Sequence, residues 1–319
     1  MKRYLLCFFL FTIVFSCKKK DVTSPTDFNI VLNNLTYKVG DTVKFQLIGN
    51  ADYISFYPGD SGYNYVNRNT VSSVGKVTMS FKSRLTQGST DSTAQQNTLR
   101  VLMSNNFVTP SAGYIIDSST VIAAGPTVWT DITNRFTLPK VPSNTAVSSG
   151  VADLTDIAKV SEGKPVYLAF KFSDKYDSLI AQRFWYLTNL TIDNTLSDST
   201  KNNVFLLINK SPTPLFSIVN IKNPDVKWGI GSSTAQISIQ GGAAKTAENE
   251  DWLITRAMNL SLAFPDKSIP IKSIADNSVS SVTKVYTKAG VYQAVFVARN
   301  QNVYGSNEVV RTVTINVIQ

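Results

Sequence analysis

The sequence predicts an all-β protein, and three observations support this fold class. Apolar and polar residues alternate over many short stretches; Val43, Phe45 and Leu47, for example, have polar neighbours on both sides, which is the period of a half-buried strand. Thr, Ser, Asn, Val and Tyr are frequent, whereas long helical periodicity is scarce. Turn-forming residues recur about every 8–12 residues, as they do between the strands of a sandwich or a jelly roll.

Taken in order, the first predicted strands flank a conspicuous turn. Residues 28–32, 43–47 and 53–57 alternate as strands, and residues 58–62 (PGDSG) form a tight turn. Further strands are predicted at residues 77–81, 99–103, 166–171, 184–194, 204–208, 218–230, 235–239, 252–262, 291–298 and 312–317. Residues 151–160 are the one stretch that predicts a short helix, because its apolar residues fall on one side.

The first 17 residues have the organisation of a secretion signal. Lys2 and Arg3 precede an apolar run at residues 5–15, which is too short to span a bilayer. The run ends in Val-Phe-Ser-Cys, which resembles a bacterial lipobox, so Cys17 is expected to be lipidated and to anchor the protein to an outer membrane. Residues 18–27 would then be a tether. The alternative is a plain secretory signal with an incidental cysteine. Which side of the membrane the protein faces stays open.

The absence of histidine and the scarcity of cysteine exclude several kinds of site. The chain has no histidine and only two cysteines, of which Cys7 would leave with the signal and Cys17 would carry lipid. The mature chain would therefore have no disulfide, no thiol nucleophile and no Ser-His-Asp or Cys-His catalysis. Nearly every zinc or copper site is excluded as well, because such sites generally depend on histidine or thiolate.

Positive charge is spread along the chain. The formal net charge is +9, and it falls to +7 when Lys2 and Arg3 are removed (9 − 2). Apart from Lys18, Lys19 and Lys20 beside the expected anchor, the basic residues are scattered singly. A nucleic-acid partner is not expected, because it requires a clustered basic footprint. The charge is interpreted as solvated strand faces with some attraction to acidic lipid or polysaccharide.

Carboxylates are the remaining candidates for catalysis or metal binding. The acidic residues considered are Asp153, Asp156, Asp193, Glu248, Glu250 and Asp251. A pair of them could act as in glycoside hydrolysis, and acidic loops could hold a structural calcium ion. The alternative is that they are solvated loop residues, and we expect no enzyme and no cofactor other than that calcium ion.

Aromatic residues are the main candidates for ligand binding. Sugar rings stack on aromatic faces, and all four tryptophans lie between residues 129 and 252. Trp228, beside Gly229 and Gly231, is the first candidate for a stacking platform and Trp129 the second. The alternative is that each tryptophan is a core residue, which is the expectation for Trp185 within its apolar run. The remaining ligand-binding candidates are Asn223 and Asp225, as hydrogen-bonding partners for sugar hydroxyls, and Tyr57, Tyr63 and Tyr65, which flank the predicted turn.

The opening stretch resembles a known family. Residues 54–65 read ISFYPGDSGYNY, which is similar to the signature of the Bacteroidota lipoproteins grouped as domain of unknown function 5017. That signature is an Ile-x-Phe-Tyr-Ser-Gly-Glu-type strand and turn followed by a tyrosine and an arginine, to which Arg68 corresponds. The resemblance implies an outer-membrane lipoprotein from the setting of polysaccharide uptake, with no assigned activity.

Two further resemblances concern the domain organisation. Residues 40–45 (GDTVKF) and 286–292 (YTKAGVY) resemble the opening and closing strands of immunoglobulin-like domains of the polycystic-kidney-disease (PKD) type. The match departs at residues 55–60 (SFYPGD), where that family has an aromatic-Asp-Phe-Gly-Asp-Gly motif. Residues 164–170 and 184–194 resemble strands of galactose-binding-like jelly rolls.

These observations predict a split architecture. Residues 28–70 and 263–319 are each too small to bury a core alone, so we expect them to form one immunoglobulin-like sandwich with a jelly roll, residues 71–262, inserted in it. The alternative is two or three consecutive sandwiches.

The sequence-based hypothesis for function is a lipid-anchored, non-catalytic protein that binds carbohydrate as an accessory to polysaccharide capture, with an outer-membrane uptake complex as a partner. The alternative is a structural or interaction subunit, such as an adhesin or scaffold, that binds only protein partners.

Four Asp-Ser/Thr-x triplets, beginning at Asp41, Asp91, Asp177 and Asp198, also resemble the O-glycosylation sequence of exported Bacteroidota proteins.

Overall fold

The computed structural model describes residues 21–87, 95–111, 115–176, 180–206, 215–231, 236–241 and 247–319. These residues form twenty strands, two α-helices and three short 3-10 helices, so the predicted all-β class is confirmed. No helix in these ranges is long and apolar enough to cross a membrane. The predicted signal and lipidation site at Cys17, and the triplets that begin at Asp91 and Asp177, lie outside the described residues.

The elements follow one another along the chain with short connections. The strands are β1 (Asn29–Val31), β2 (Thr36–Lys38), β3 (Thr42–Ile48), β4 (Tyr53–Tyr57), β5 (Lys76–Thr86), β6 (Leu99–Ser104), β7 (Thr130–Asp131), β8 (Val147–Ser148), β9 (Ala152–Asp153), β10 (Tyr167–Asp174), β11 (Phe184–Thr195), β12 (Lys201–Leu206), β13 (Phe216–Lys222), β14 (Gly229–Ile230), β15 (Ile237–Gln240), β16 (Asn249–Thr255), β17 (Ile269–Lys272), β18 (Ser281–Val285), β19 (Gly290–Asn302) and β20 (Gly305–Ile318). The α-helices are α1 (Ser118–Ala124) and α2 (Thr155–Val160), and the 3-10 helices are Tyr65–Asn67, Pro126–Val128 and Thr133–Arg135.

The chain divides into two compact units. The first unit joins the chain before Asn69 to Asp266–Gln319, and the second unit is Asn69–Pro265. The two ends of the second unit are neighbours, because Ser72 and Leu262 form an antiparallel bridge. The first unit is therefore built from two chain segments that are separated in sequence by the whole second unit.

The first unit is a β-sandwich. One sheet has the order β1-β3-β18, and the other has the order β17-β4-β19-β20-β2. Each sheet combines strands from both chain segments, and the pairs are antiparallel except for β2 beside β20. Three phenylalanines join the sheets in the core: Phe45 lies 5.2 Å from Phe56 and 5.3 Å from Phe296, and the last two rings stack at 4.3 Å. Neither chain segment could form this core alone.

The second unit packs a five-stranded sheet against a larger one. The first sheet has the order β13-β16-β10-β6-β7, and the second follows β14-β15-β11-β5-β8, with β12 and β9 added at its sides. The main core between them contains Phe81, Phe170, Trp185 and Trp228. A separate cluster lies on the other face of the five-stranded sheet, because its sheet residues Tyr167 and Trp252 alternate with those of the main core. Phe107 and Trp129 pack on this face and cover it.

Helix α1 belongs to this covering layer and is absent from the sequence-based prediction. Its seven residues are too few for apolar periodicity to be read, although Asp117 caps the first turn by accepting a hydrogen bond from Thr120 N at 2.8 Å. Val121 is the buried residue of this helix, and it joins the cluster around Trp129. The short helix predicted at residues 151–160 is observed as α2, although it begins only at Thr155.

Candidate functional site

A group of aromatic and charged side chains lies on the outward face of the first unit's five-stranded sheet. In β4, Ile54 and Phe56 point into the core, so Tyr53, Ser55 and Tyr57 lie on the opposite face, because successive side chains of a strand alternate. The register with β19 places Tyr53 beside Arg299, Ser55 beside Val297 and Tyr57 beside Val295. The face therefore carries two tyrosines and an arginine in adjacent strands.

The segment after β4 adds a third tyrosine and a second arginine. The turn at residues 58–62 is closed by a hydrogen bond from Gly59 N to Tyr63 O at 3.0 Å. Asn64 then caps the 3-10 helix Tyr65–Asn67 by accepting a hydrogen bond from Val66 N at 3.3 Å. This cap is held to the rest of the unit, since Asn64 N donates to Asp266 Oδ2 at 2.7 Å. The helix thus has a fixed position over the sheet.

Ring contacts orient these side chains. The Tyr65 ring meets the Tyr57 ring edge to face at 5.3 Å. The Arg68 guanidinium lies 3.8 Å over the Tyr65 ring, and its Nη1 donates to Tyr65 O at 3.0 Å. On the other side, the Arg299 guanidinium lies 5.3 Å from the Tyr53 ring. Both cations are therefore held on aromatic faces, a favourable arrangement that fixes their direction.

Together these residues enclose a pocket of about 210 Å³, which we call the tyrosine–arginine pocket. It is lined by Tyr53, Ser55, Tyr57, Tyr65, Arg68, Val297, Arg299 and Glu308. The pocket is smaller than the range of about 300–1,000 Å³ typical of sites for drug-sized ligands, so it suits one ring or a chain end. Tyrosine rings can stack on a sugar, and guanidinium groups can bind hydroxyl or carboxylate oxygens through several N–H donors.

The tyrosines predicted from the sequence lie in different positions relative to the pocket. Tyr57 and Tyr65 both line the tyrosine–arginine pocket, whereas Tyr63 is 39% exposed and lies outside its lining. Sequence reasoning missed Tyr53, Arg299 and Glu308 as site residues. Tyr53 could have been found from its alternation with Ile54. Arg299 and Glu308 could not, since only strand pairing brings these distant residues beside β4.

The tryptophan candidates do not have the positions predicted for them. Trp228 is 1% exposed in the main core of the second unit, and its Nε1 donates to Asp251 O at 3.3 Å. Trp129 is 9% exposed and packs against Phe107 at 4.9 Å and Trp252 at 5.4 Å. Because neither ring has a face open to solvent, the assignment of these two residues as stacking platforms is corrected: both are core residues in this structure.

The two polar candidates near Trp228 form a turn. Asn223 has a left-handed backbone (φ 60°), and its Nδ2 donates to Asn249 Oδ1 at 2.7 Å. Its Oδ1 accepts a hydrogen bond from Asp225 N at 3.3 Å. The side chain of Asn223 is therefore used in closing the turn, and Asp225 lies exposed beside a tryptophan that is buried. The predicted sugar site around these residues is not formed.

Most of the acidic candidates have basic or backbone partners. The salt bridges are Asp156–Arg135 at 2.7 Å, Asp193–Lys201 at 2.8 Å, Glu250–Lys171 at 2.9 Å and Glu248–Lys222 at 3.0 Å. Asp193 Oδ1 also accepts a hydrogen bond from Asn203 Nδ2 at 2.5 Å, and Asp153 Oδ1 accepts one from Thr155 N at 2.8 Å. The Arg135 guanidinium lowers the pKa of Asp156. Within the described ranges, no group of three or more acidic or thiol side chains could hold a metal ion, and the calcium ion remains a prediction.

Asp174 and Asp251 are the most deeply buried carboxyl groups among the described residues of the second unit. Asp174 is 1% exposed and Asp251 is fully buried. Burial raises the pKa of each from 3.8 to about 7, despite hydrogen bonds to Asp174 from Arg183 N at 2.6 Å and to Asp251 from Asn220 Nδ2 at 2.7 Å. A raised carboxyl pKa often marks an active site, but Asp251 has no exposed surface from which it could reach a substrate.

Comparison with known proteins identifies a family. The family model described as Domain of unknown function (DUF5017) matches residues 16–211, which is more than half of the chain. The matched range includes Tyr53, Tyr57, Tyr65 and Arg68, and it ends before the segment that supplies Arg299. No curated protein and no solved structure matches the chain significantly.

Proposed function

The chain belongs to the family described as Domain of unknown function (DUF5017), and we propose that it is a non-catalytic, lipid-anchored envelope protein that binds carbohydrate in the tyrosine–arginine pocket. The observation that carries this proposal is the cluster of Tyr53, Tyr57 and Tyr65 with two guanidinium groups on an outward sheet face. The proposal moves the binding site from the predicted tryptophans of the second unit to the first unit.

The chemistry of the pocket supports a sugar ligand. A sugar ring presents C–H groups on its faces, which interact favourably with an aromatic face, and hydroxyl groups at its edge. In the pocket, Tyr57 and Tyr65 supply aromatic surface, while Arg68 and Arg299 supply N–H donors. Glu308, which pairs with Arg299 across the hairpin β19–β20, adds an acceptor for hydroxyl groups. The combination provides stacking, donors and an acceptor within one small volume.

The size of the pocket supports a role in capture rather than in chemistry. A volume of about 210 Å³ suits one sugar ring or a chain end, so each copy of the protein would bind weakly. Loss of one stacking ring should then weaken binding about tenfold, since an aromatic contact of about 1.4 kcal/mol corresponds to a decade in Kd. A weak site suits an accessory that concentrates a polysaccharide at an uptake complex.

The proposed location at the outer membrane rests on the first residues of the chain. The resemblance of residues 14–17 to a lipobox supports lipidation of Cys17, and the family resemblance supports an outer membrane. The immunoglobulin-like and jelly-roll assignments of the two units belong to the same proposal. Protease treatment of intact cells decides which side of the membrane the protein faces: cleavage of the protein indicates the surface, and protection indicates the periplasm.

A glycan array tests the proposed function. The chain from Lys18 onward should bind a subset of glycans, and Tyr65→Ala should weaken this binding about tenfold. Tyr63→Ala is the matched control, because Tyr63 is exposed in the same segment but does not line the pocket. If no glycan is bound, and a protein partner co-purifies from membranes, the interaction-subunit alternative replaces this proposal.

One observation favours that alternative. Val108, Ile115 and Ile122 are 78%, 79% and 64% exposed around helix α1 of the second unit. A wide cavity of about 620 Å³ is lined by Val108 and Pro110 together with residues of helix α1 such as Ala123. Exposed apolar groups that lie close together are typical of protein interaction sites. Aspartate substitution at Val108 and Ile122 should then abolish partner binding and leave glycan binding unchanged.

A further inference from the structure

The hairpin β19–β20 ends in a turn whose composition is unusual for its position. Residues 302–305 read Asn-Val-Tyr-Gly, and Asn302 Oδ1 accepts a hydrogen bond from Tyr304 N at 2.8 Å. Val303 is 91% exposed and Tyr304 is 48% exposed. Exposed hairpin turns usually carry Gly, Asn, Asp, Ser or Pro, so the geometry of the turn does not account for two large apolar or aromatic side chains at the tip.

The segment that leads to the N-terminus runs along this hairpin. Arg311 Nε donates to Phe28 O at 2.9 Å, and nearer the tip Asn300 Nδ2 donates to Thr23 O at 2.9 Å. Asn307 Nδ2 donates to Val22 O at 2.5 Å. Read from Phe28 back to Val22, the chain therefore advances from the level of Arg311 to that of Asn300 and Asn307, towards the tip.

This direction brings Val22, the residue from which the expected anchor is reached, towards the tip end of the first unit. Cys17 is five residues before Val22 and can lie at most about 17 Å from it, at about 3.4 Å per residue. Tyr304 is three residues from Asn307, which corresponds to about 10 Å along a strand. The anchor and the tip can therefore reach the same plane.

The chemistry of the tip fits a membrane interface. Tyrosine is enriched at the level of the lipid headgroups, where its ring is buried and its hydroxyl is hydrated. Valine adds apolar surface, and the three lysines at positions 18–20 would be attracted to anionic headgroups. A membrane contact by the tip, in addition to the lipid, would orient the attachment.

We propose that the tip of the β19–β20 hairpin inserts Val303 and Tyr304 into the interface of the membrane that holds the Cys17 anchor; this inference rests on the lipid anchor of the proposed function. The hairpin would then contact the membrane through its tip. Arg299 and Glu308 lie four residues from Val303 and Tyr304, so the tyrosine–arginine pocket would open close to the membrane surface, where it could meet glycans attached to that surface.

The test uses an indole placed at each end of the hairpin. The full chain, with its own signal, is purified from membranes and reconstituted in vesicles of phosphatidylethanolamine and phosphatidylglycerol, with or without brominated acyl chains. Val303→Trp places the indole at the tip. Val291→Trp is the matched control, because Val291 is 68% exposed at the opposite end of β19. The native tryptophans, all in the second unit, supply a background that is measured in the unsubstituted protein.

The inference predicts that bromolipid quenches the indole at position 303 and leaves the indole at position 291 unquenched, while both variants float with the vesicles. Flotation without quenching at position 303, or equal quenching at both positions, would overturn the tip contact and leave the anchor intact. If the unsubstituted chain does not float with the vesicles, both the lipid anchor and the tip contact are ruled out.

Discussion

Replacement of the buried Asp251 by asparagine should change how the stability of the second unit depends on pH. Asp251 is fully buried, and its Oδ1 accepts a hydrogen bond from Asn220 Nδ2 at 2.7 Å. Its Oδ2 has no hydrogen-bond partner among the described residues. Burial, with a smaller contribution from the charge of Glu250, raises the pKa of Asp251 to about 7. An asparagine side chain at this position would preserve the accepting oxygen without the charge, which makes Asp251→Asn a conservative probe.

The direction in which the free energy of unfolding changes with pH follows from proton binding. Between pH 3.8 and about 7, the folded state keeps the Asp251 proton and the unfolded state releases it, so the free energy of unfolding falls as the pH rises and levels off above pH 7. Each pH unit in this window costs about 1.4 kcal/mol. Between pH 5 and pH 8 the contribution of Asp251 is therefore a loss of about 3 kcal/mol, and Asp251→Asn should abolish this contribution. The contribution of Asp174, whose pKa is also about 7, remains in both proteins and cancels in their difference.

Urea unfolding followed by tryptophan fluorescence measures this effect selectively, because all four tryptophans lie in the second unit. The difference in unfolding free energy between Asp251→Asn and the wild type should grow by about 3 kcal/mol from pH 5 to pH 8. Asp225→Asn, a change at an exposed carboxylate, is the control and should show no such growth. A difference for Asp251→Asn that is the same at both pH values would refute the reasoning.

Three further predictions concern the core, a turn and the anchor. Trp228→Ala should lower the stability of the second unit by about 3–5 kcal/mol and leave glycan affinity unchanged; reduced affinity of the folded variant would contradict the corrected assignment. Gly59→Ala should lower the melting temperature of the first unit more than Gly62→Ala, since both glycines have positive φ but only a Cβ at Gly59 would meet Gln293 O, at 2.7 Å; equal losses would argue against that contact. Cys17→Ala should lose metabolic lipid labelling, and unchanged labelling would exclude the lipobox.

The sequence was sufficient for the fold class because local patterns determine strands. The alternation of Val43, Phe45 and Leu47 predicts a half-buried strand, and the same residues are buried in β3. Turn chemistry was equally readable: residues 58–62 contain two glycines with positive φ, at 87° and 79°. Such features depend on neighbouring residues only, and they can be recognised without knowledge of the tertiary structure.

The candidate site could be predicted only in part, because its second half comes from a remote segment. Tyr57 and Tyr65 lie near each other in sequence, but Arg299 reaches them through the pairing of β4 with β19. The tryptophan prediction was wrong for a related reason. Trp228 adjoins two glycines and looks exposed in sequence, yet it packs in the main core of the second unit. Exposure of an aromatic residue depends on which sheet covers it.

The central claim is that the tyrosine–arginine pocket of the first unit binds a carbohydrate, and calorimetric titration with the glycan that binds best on an array tests it most directly. Tyr65→Ala should weaken binding about tenfold through the loss of one stacking ring, and Arg68→Ala should weaken it as well. Tyr63→Ala should bind like the wild type. Unchanged affinity in both Tyr65→Ala and Arg68→Ala would contradict the account.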